Sequence, residues 1–329
     1  MNRRALALTM GDPAGIGPEI ILKLLRRPAG LPDRPLVVVG DRPCFEAAAR
    51  RLKWRFTLRD WDPRQPLPRH GAVLCQASPP GRRVPAPGRS GADSGRLAAD
   101  AVLAAAALCN GGLVAGMVTA PLNKDALNRA GVRHPGHTEW LAKLSGSRRC
   151  AMLFAGDRLK VVLATIHLPL AEVPRRLTAG RILEVTALAH ASLRLDFGVR
   201  RPRIAVAGLN PHAGEHGLLG REDAARVAPA VRRARALGMD VTGPIPGDTV
   251  FRRALKGEFH LVVALYHDQG LGPIKTLEGF RAVNVTLGLP WVRTSVDHGT
   301  AEDIAGRGVA SSEGLRAAVR LAARMAARR

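Results

Sequence analysis

Short apolar runs rich in β-branched residues, each ended by polar loop residues, set the frame for this chain. Leu261 to Leu265 is such a run, too short for a helix and suited to a buried strand. It stops at Tyr266-His267-Asp268-Gln269-Gly270, a set of side chains that describes a site better than a turn. Two more runs end in the same way: KVVLATIH on His167 and RIAVAGLNPH on His212. In open α/β sheets, functional groups gather in loops at the carboxyl ends of strands. Much of the remaining chain therefore reads as the scaffold that carries these three histidines.

The alternation of runs supports that reading. Ala5 to Met10 predicts a strand, followed by the glycine-rich GDPAGIGPE and a helix over Pro18 to Leu25. That loop is neither GxGxxG nor GxxxxGK[ST], so a tight helix-on-strand turn explains it as well as a phosphate cradle. Leu36 to Gly40 is a second buried strand, followed by a helix to about Leu52. Trp61 to Gly95 is crowded with Pro, Gly and Arg and reads as surface loop, with one strand at Ala72 to Gln76. With the strand inside the loop set aside, a helix over Ser94 to Cys109 and a strand over Leu113 to Thr119 complete a β, α, β, α, α, β order, the pattern of a mostly parallel sheet covered by helices. Ala151 to Phe154 and Leu159 to Ile166 predict an antiparallel hairpin. Two helices between about Leu170 and Asp196, a strand over Ile204 to Leu209, and a helix from about Glu222 follow, with Pro244 to Phe251 as a connector carrying Asp248.

At 329 residues, 46% of them hydrophobic, the chain fits two domains of ordinary size. Arg3 and Arg4 precede an apolar run that Gly11-Asp12-Pro13 cuts short, a poor signal peptide, and no run is long enough to span a bilayer. Cys44, Cys75, Cys109 and Cys150 form no CxxC pair, which points to reduced thiols in a cytoplasm. The net charge of +23 raises a nucleic-acid surface as a rival function. Arginines are scattered in pairs along the whole chain and aromatics make up only 4%, which favours biased composition over a stacking groove.

Neutral imidazole is the commonest protein ligand for zinc and similar ions, and three histidines leave coordination positions open for substrate. The alternative for each of His167, His212 and His267 is an ordinary hydrogen-bonded ring. Asp248 and Asp268 are candidates to fix ring tautomers, and His298 is a weaker ligand candidate in a different motif. Thr138 reads either as the N-cap of a short helix over Trp140 to Leu144 or, with His137, as part of an anion site at its N-terminus. Lys275, Asn284 and Arg293 join His137 and Thr138 as candidates to hold phosphate and carboxylate groups.

The motifs GDPAGIGPE, TAPLNK, GHTE, TIHLPL, GLNPHAGE, YHDQG, VNVTLGLP and RTSVDHGTAEDIAG, in that order from about Leu8 to Ala310, resemble the 4-hydroxythreonine-4-phosphate dehydrogenase family of vitamin B6 synthesis. GIGPE and HGTAEDIAG also resemble the wider isocitrate and isopropylmalate dehydrogenase group, in which the cofactor lies against such a loop without a Rossmann fingerprint. The resemblance implies two α/β domains with mostly parallel sheets and an active-site cleft between them. It places residues 1–125 and 270–329 in a first domain with the cofactor loop, and 126–269 in a second with metal ligands and dimer contacts.

For the site, the resemblance implies a divalent metal (Zn, Mg or Co) on His167, His212 and His267, drawn from both chains of a homodimer. It assigns substrate contacts to His137, Thr138, Lys275, Asn284 and Arg293, and catalytic support to Asp248 and Asp268. NAD or NADP would lie on His298, Gly299, Thr300, Asp303 and Ile304. The implied reaction is oxidation and decarboxylation of 4-phosphohydroxy-L-threonine to 3-amino-2-oxopropyl phosphate in pyridoxal 5'-phosphate synthesis. The alternatives are a related dehydrogenase of threonate or erythronate 4-phosphate, or of an aromatic cis-dihydrodiol. Two residues depart from the family pattern: Gly247 stands where alanine is usual, and Glu302 where an apolar residue is usual. A carboxylate at 302 would disfavour a ribose 2′-phosphate.

Overall fold

The computed structural model describes residues 4–134 and 136–329. Arg3, used above in reading the N-terminus, lies outside them. The chain divides into a first unit, Met1–Ser147 with Leu289–Ala327, and a second, Arg148–Gly288 with Arg328–Arg329. The expected breaks near 125 and 270 thus move to 147/148 and 288/289. The segment after 125 stays with the first unit because the helix His137–Leu144 packs on the helix Ala92–Asn110. The segment after 270 stays with the second because the strand Val283–Leu287 pairs along its length with Ala151–Ala155.

The first unit opens with β1 (Ala5–Thr9), α1 (Gly17–Arg26), β2 (Leu36–Gly40), α2 (Arg42–Arg51), β3 (Arg59–Asp60) and β4 (Ala72–Gln76). It continues with α3 (Ala92–Asn110), β5 (Val114–Thr119), α4 (Lys124–Arg129) and α5 (His137–Leu144). β1 and β2 are buried at every residue, the mark of strands covered on both faces, which is why they read as continuous apolar runs and not alternating ones. α3 lies so close to α4 that a Cβ on Gly95 would overlap the carbonyl of Ala126. Asn123 caps α4, its side-chain oxygen accepting from the Ala126 N–H at 3.0 Å.

The second unit holds β6 (Ala151–Ala155), β7 (Lys160–Leu163), α6 (Val173–Arg176), α7 (Ala179–Leu195), β8 (Arg203–Ala207) and α8 (Ala228–Ala236). β9 (Asp240–Ile245), α9 (Gly247–Leu255), β10 (Leu261–Ala264), α10 (His267–Glu278) and β11 (Val283–Leu287) follow. The chain then returns to the first unit with β12 (Val292–Ser295) and α11 (Glu313–Ala326).

The first unit's sheet runs β3-β4-β2-β1-β5-β12 and all its pairings are parallel. The second unit's runs β11-β6-β7-β10-β8-β9: β6 is antiparallel to both β11 and β7, and β7, β10, β8 and β9 are parallel. The hairpin expected at 151–166 is therefore present as β6 and β7, but β7 ends at Leu163.

Three segments differ from the sequence reading. The stretch Pro244 to Phe251 is the end of β9 and the start of α9, whose Val250, Phe251 and Ala254 enter the core. Residues 267–278 are a helix despite Gly270, Gly272 and an internal Pro273, all poor helix formers. Packing overrides propensity here: a Cβ on Gly270 would crowd Leu163, Val161 and Ala264, so glycine lets α10 settle on β7 and β10. The helix expected from Trp140 starts at His137, with Gly136 as N-cap, so Thr138 is inside the helix and does not cap it. Among the described residues no helix is long and apolar enough to cross a membrane.

Candidate functional site

The order β7-β10-β8-β9 gives the second unit one edge where four parallel strands end side by side. His167 follows β7, His267 and Asp268 follow β10, His212 follows β8, and Asp248 follows β9. Residues spread over about a third of the sequence thus share one edge, as parallel topology requires of strand-end loops. Side chains tie the loops together. Thr165 Oγ1 donates to the Leu265 carbonyl at 2.7 Å, joining the ends of β7 and β10. Gln269 accepts from the Leu265 N–H and donates to the Gly208 carbonyl, each at 2.7 Å, joining the ends of β10 and β8. Nothing in the sequence around YHDQG marks this glutamine for that bridging role.

The rings of His167 and His267 are neighbours, their centroids 5.8 Å apart and their planes tilted by 44°. Two imidazoles that bind one tetrahedral ion through nitrogens about 2.0–2.1 Å away have ring centres about 5 Å apart, so this pair fits one divalent cation. His267 Nδ1 lies 2.7 Å from Asp268 Oδ1. With Nδ1 donating to the carboxylate, Nε2 is the atom left to bind a metal. His212 lies in a turn of left-handed backbone, and among the described residues no three His, Cys, Asp or Glu side chains gather closely enough to hold an ion. One chain therefore brings two of the three candidate rings together and not the third. Asp248 is exposed in the first turn of α9. Lys275 is exposed on α10, and Asn284 lies on β11 with its side-chain oxygen buried and unpartnered.

In the first unit, Arg293 lies on β12 and is 3% exposed. Its Nη2 donates to Thr119 Oγ1 at 2.9 Å and reaches His137 Nδ1 at 3.0 Å. Burial lowers the Arg293 pKa to about 9, which leaves it cationic at neutral pH. Burial, and then the charge of Arg293, hold His137 well below the ordinary histidine value, so its ring is neutral. Nδ1 accepts from the guanidinium, and the ring hydrogen is on Nε2, which is buried without a hydrogen-bond partner. A buried donor beside a buried cation is an arrangement suited to an oxygen anion. Thr138, 4% exposed, stands next to it in the first turn of α5. Thr119, in sequence simply the last residue of a strand, completes this cluster.

The loop from His298 to Ile304 is held from both ends within the first unit. The Ile16 N–H donates to the Thr300 carbonyl at 3.0 Å. Glu302 Oε1 accepts from Asn123 Nδ2 at 2.5 Å and from Thr300 Oγ1 at 3.2 Å. Burial pushes the Glu302 pKa up, but the contacts from Ser90, Asn123 and Thr300 outweigh it and leave the carboxyl below its ordinary value, hence ionised. Past the loop, Glu19 accepts from the N–H groups of Gly308 and Ala310, and Lys23 donates to both their carbonyls. His298 Nδ1 lies 3.1 Å from the Gly299 carbonyl, and Asp303 and Ile304 sit in a short 3₁₀ turn. The i, i+4 spacing of Glu19 and Lys23 on a helix was the available sign of that clamp.

The chain matches the family model described as "Pyridoxal phosphate biosynthetic protein PdxA" over residues 33–322. It is 48% identical over 322 residues to a protein named 4-hydroxythreonine-4-phosphate dehydrogenase from Beijerinckia indica, covering 97% of this chain and 94% of that one. It is 44% identical over 349 residues to a provisionally named D-threonate 4-phosphate dehydrogenase from Bradyrhizobium diazoefficiens, covering 99% and 98%. The crystal structure of a 4-hydroxythreonine-4-phosphate dehydrogenase from Klebsiella pneumoniae superposes with a TM-score of 0.89 at 44% identity, covering 99% of this chain and 98% of that one.

Proposed function

The chain belongs to the PdxA family of pyridoxal phosphate biosynthetic proteins, and from that premise we propose that it oxidises and decarboxylates 4-phosphohydroxy-L-threonine to 3-amino-2-oxopropyl phosphate. The observation that carries this reading is 48% identity across 97% of the chain to a dehydrogenase named for that substrate. The relative named for D-threonate 4-phosphate, at 44% identity, supports a second substrate of similar shape: a four-carbon hydroxy acid ending in phosphate.

His167, His212 and His267 would hold a divalent cation, and NAD or NADP would lie on the loop of His298, Gly299, Thr300, Asp303 and Ile304. When bound, the cation supplies Lewis-acid polarisation of the substrate hydroxyl and the nicotinamide accepts the hydride. Asp268 holds His267 in the tautomer that binds through Nε2. Asp248, exposed at the end of β9, is the second carboxylate assigned to this chemistry. His137, Thr138, Lys275, Asn284 and Arg293 would bind the substrate. Arg293 supplies charge against an oxygen anion, and the Nε2 hydrogen of His137 supplies a directed donor. The neutral ring cannot repel the guanidinium, so both can face one anion.

A second copy of the chain would complete the histidine site. Leu168 and Leu170, at 36% and 68% exposure, follow His167, and Leu218, at 81%, follows the left-handed turn of His212. Exposed leucines beside two candidate ligands are surface that a homodimer would cover. A cytoplasmic setting fits the buried thiols of Cys44, Cys75 and Cys109.

The test offers purified protein 4-phosphohydroxy-L-threonine, D-threonate 4-phosphate and an aromatic cis-dihydrodiol, each with NAD or NADP and a divalent cation. Reduced nicotinamide from the first substrate, with release of CO2, is the expected result. Turnover of either other substrate alone would reassign the activity.

A further inference from the structure

From His212 to His216 every residue has positive φ: 50°, 55°, 84°, 42° and 57°. Only Gly214 adopts that region freely, so His212, Ala213, Glu215 and His216 are held there by their surroundings. The entry to the turn is fixed by one buried side chain. Asp223, 1% exposed, accepts from the Leu209 N–H at 2.7 Å through Oδ1 and from the Asn210 N–H at 3.0 Å through Oδ2. Oδ2 also accepts from Asn210 Nδ2 at 3.1 Å, and Glu222 accepts from the same amide at 2.9 Å. The Ala213 N–H then closes onto the Asn210 carbonyl at 3.1 Å. Asp223 sits at the start of the helical segment that leads into α8, so the turn is anchored to a rigid element.

The geometry points to Asp223 as a positioning residue for His212. By holding two consecutive backbone N–H groups, it fixes the direction in which the strained turn presents the imidazole. This rests on the reading of His212 as a metal ligand. Asparagine in place of Asp223 keeps the shape but turns one acceptor oxygen into a donor, which must face a backbone N–H.

The test is cobalt(II) binding by the full-length protein, followed by chelator competition and by the visible d–d absorption of the bound ion. Asp223→Asn is expected to weaken cobalt binding at least tenfold and to change the absorption envelope, with thermal midpoint and far-UV circular dichroism near those of the parent. Asp223→Glu is expected to recover part of the affinity. Wild-type cobalt affinity and spectrum in a folded Asp223→Asn protein would overturn the proposal. If that variant does not fold, Asn210→Ala, which removes only the side-chain brace, takes its place. A measurable weakening with an altered spectrum supports the proposal there, and an unchanged affinity and spectrum overturns it. Parent protein that binds no cobalt, or a His212→Ala variant that binds it as the parent does, would overturn the metal reading itself and this inference with it.

Discussion

Arg293 Nη2 lies 3.0 Å from His137 Nδ1, which makes the imidazole an acceptor from a buried cation. The ring must be neutral to serve, and burial followed by the Arg293 charge lowers its pKa well below the ordinary value. Below about pH 6.5 the unfolded chain takes up a proton at this histidine that the folded chain refuses. The associated stability is present above that pH and is lost as pH falls toward the lowered folded value. Replacing His137 by Asn, which does not titrate, is expected to flatten this part of the stability profile. Urea unfolding across pH 5 to 8 checks it, and an unchanged slope in the variant would assign the titration elsewhere.

Arg293→Lys keeps the charge and removes the planar fork. The ammonium falls one bond short of the Nη2 that reaches both Thr119 and His137, and it lacks the further guanidinium N–H groups that would face an anion. Turnover per unit substrate, kcat/KM, is expected to fall at least about 100-fold, a loss of about 3 kcal/mol for a buried charged contact. Steady-state kinetics with the phosphorylated substrate measures it.

His267→Ala removes a ring that is 38% exposed and adds little to a core. The variant is expected to fold with a thermal midpoint close to the parent's and to show no turnover. Dialysis against a chelator should silence the parent in the same way, with activity returning on adding zinc or cobalt. Activity of the alanine variant that survives chelation would remove His267 from the reaction.

Glu302 accepts from Asn123 and Thr300, so its carboxylate braces the loop. Glu302→Ala is expected to raise KM for NAD and NADP together, by a factor corresponding to about 1.5–3 kcal/mol for a charged hydrogen bond. Parallel kinetics with both cofactors decides the matter. A variant that improves for NADP alone would show that Glu302 reads the 2′ position directly.

Gly95→Ala tests the packing of α3 on α4. Alanine favours a helix by about 1 kcal/mol over glycine, yet its Cβ would overlap the Ala126 carbonyl, a backbone atom that cannot swing aside. We expect net destabilisation of about 1–3 kcal/mol by urea unfolding.

The amino-acid sequence alone determined where the buried strands lie. Runs such as Leu36–Gly40 and Leu261–Ala264 are apolar at every residue, and such a run has no stable place but between two covering layers. It also marked His167, His212 and His267 as strand-end residues, because each follows within a few residues of such a run. Tertiary structure alone decided which strands are neighbours. The order β7-β10-β8-β9, which sets those loops and Asp248 along one edge, comes from pairing between segments far apart in the chain, and local propensity carries no information about it. The same holds for α10, whose two glycines and proline argue against a helix until β7 and β10 are there to pack on it. It holds again for the meeting of Arg293, Thr119 and His137, which come from three separate segments. Burial of an arginine demands acceptors, and only the folded first unit brings a hydroxyl and a neutral imidazole to the same guanidinium.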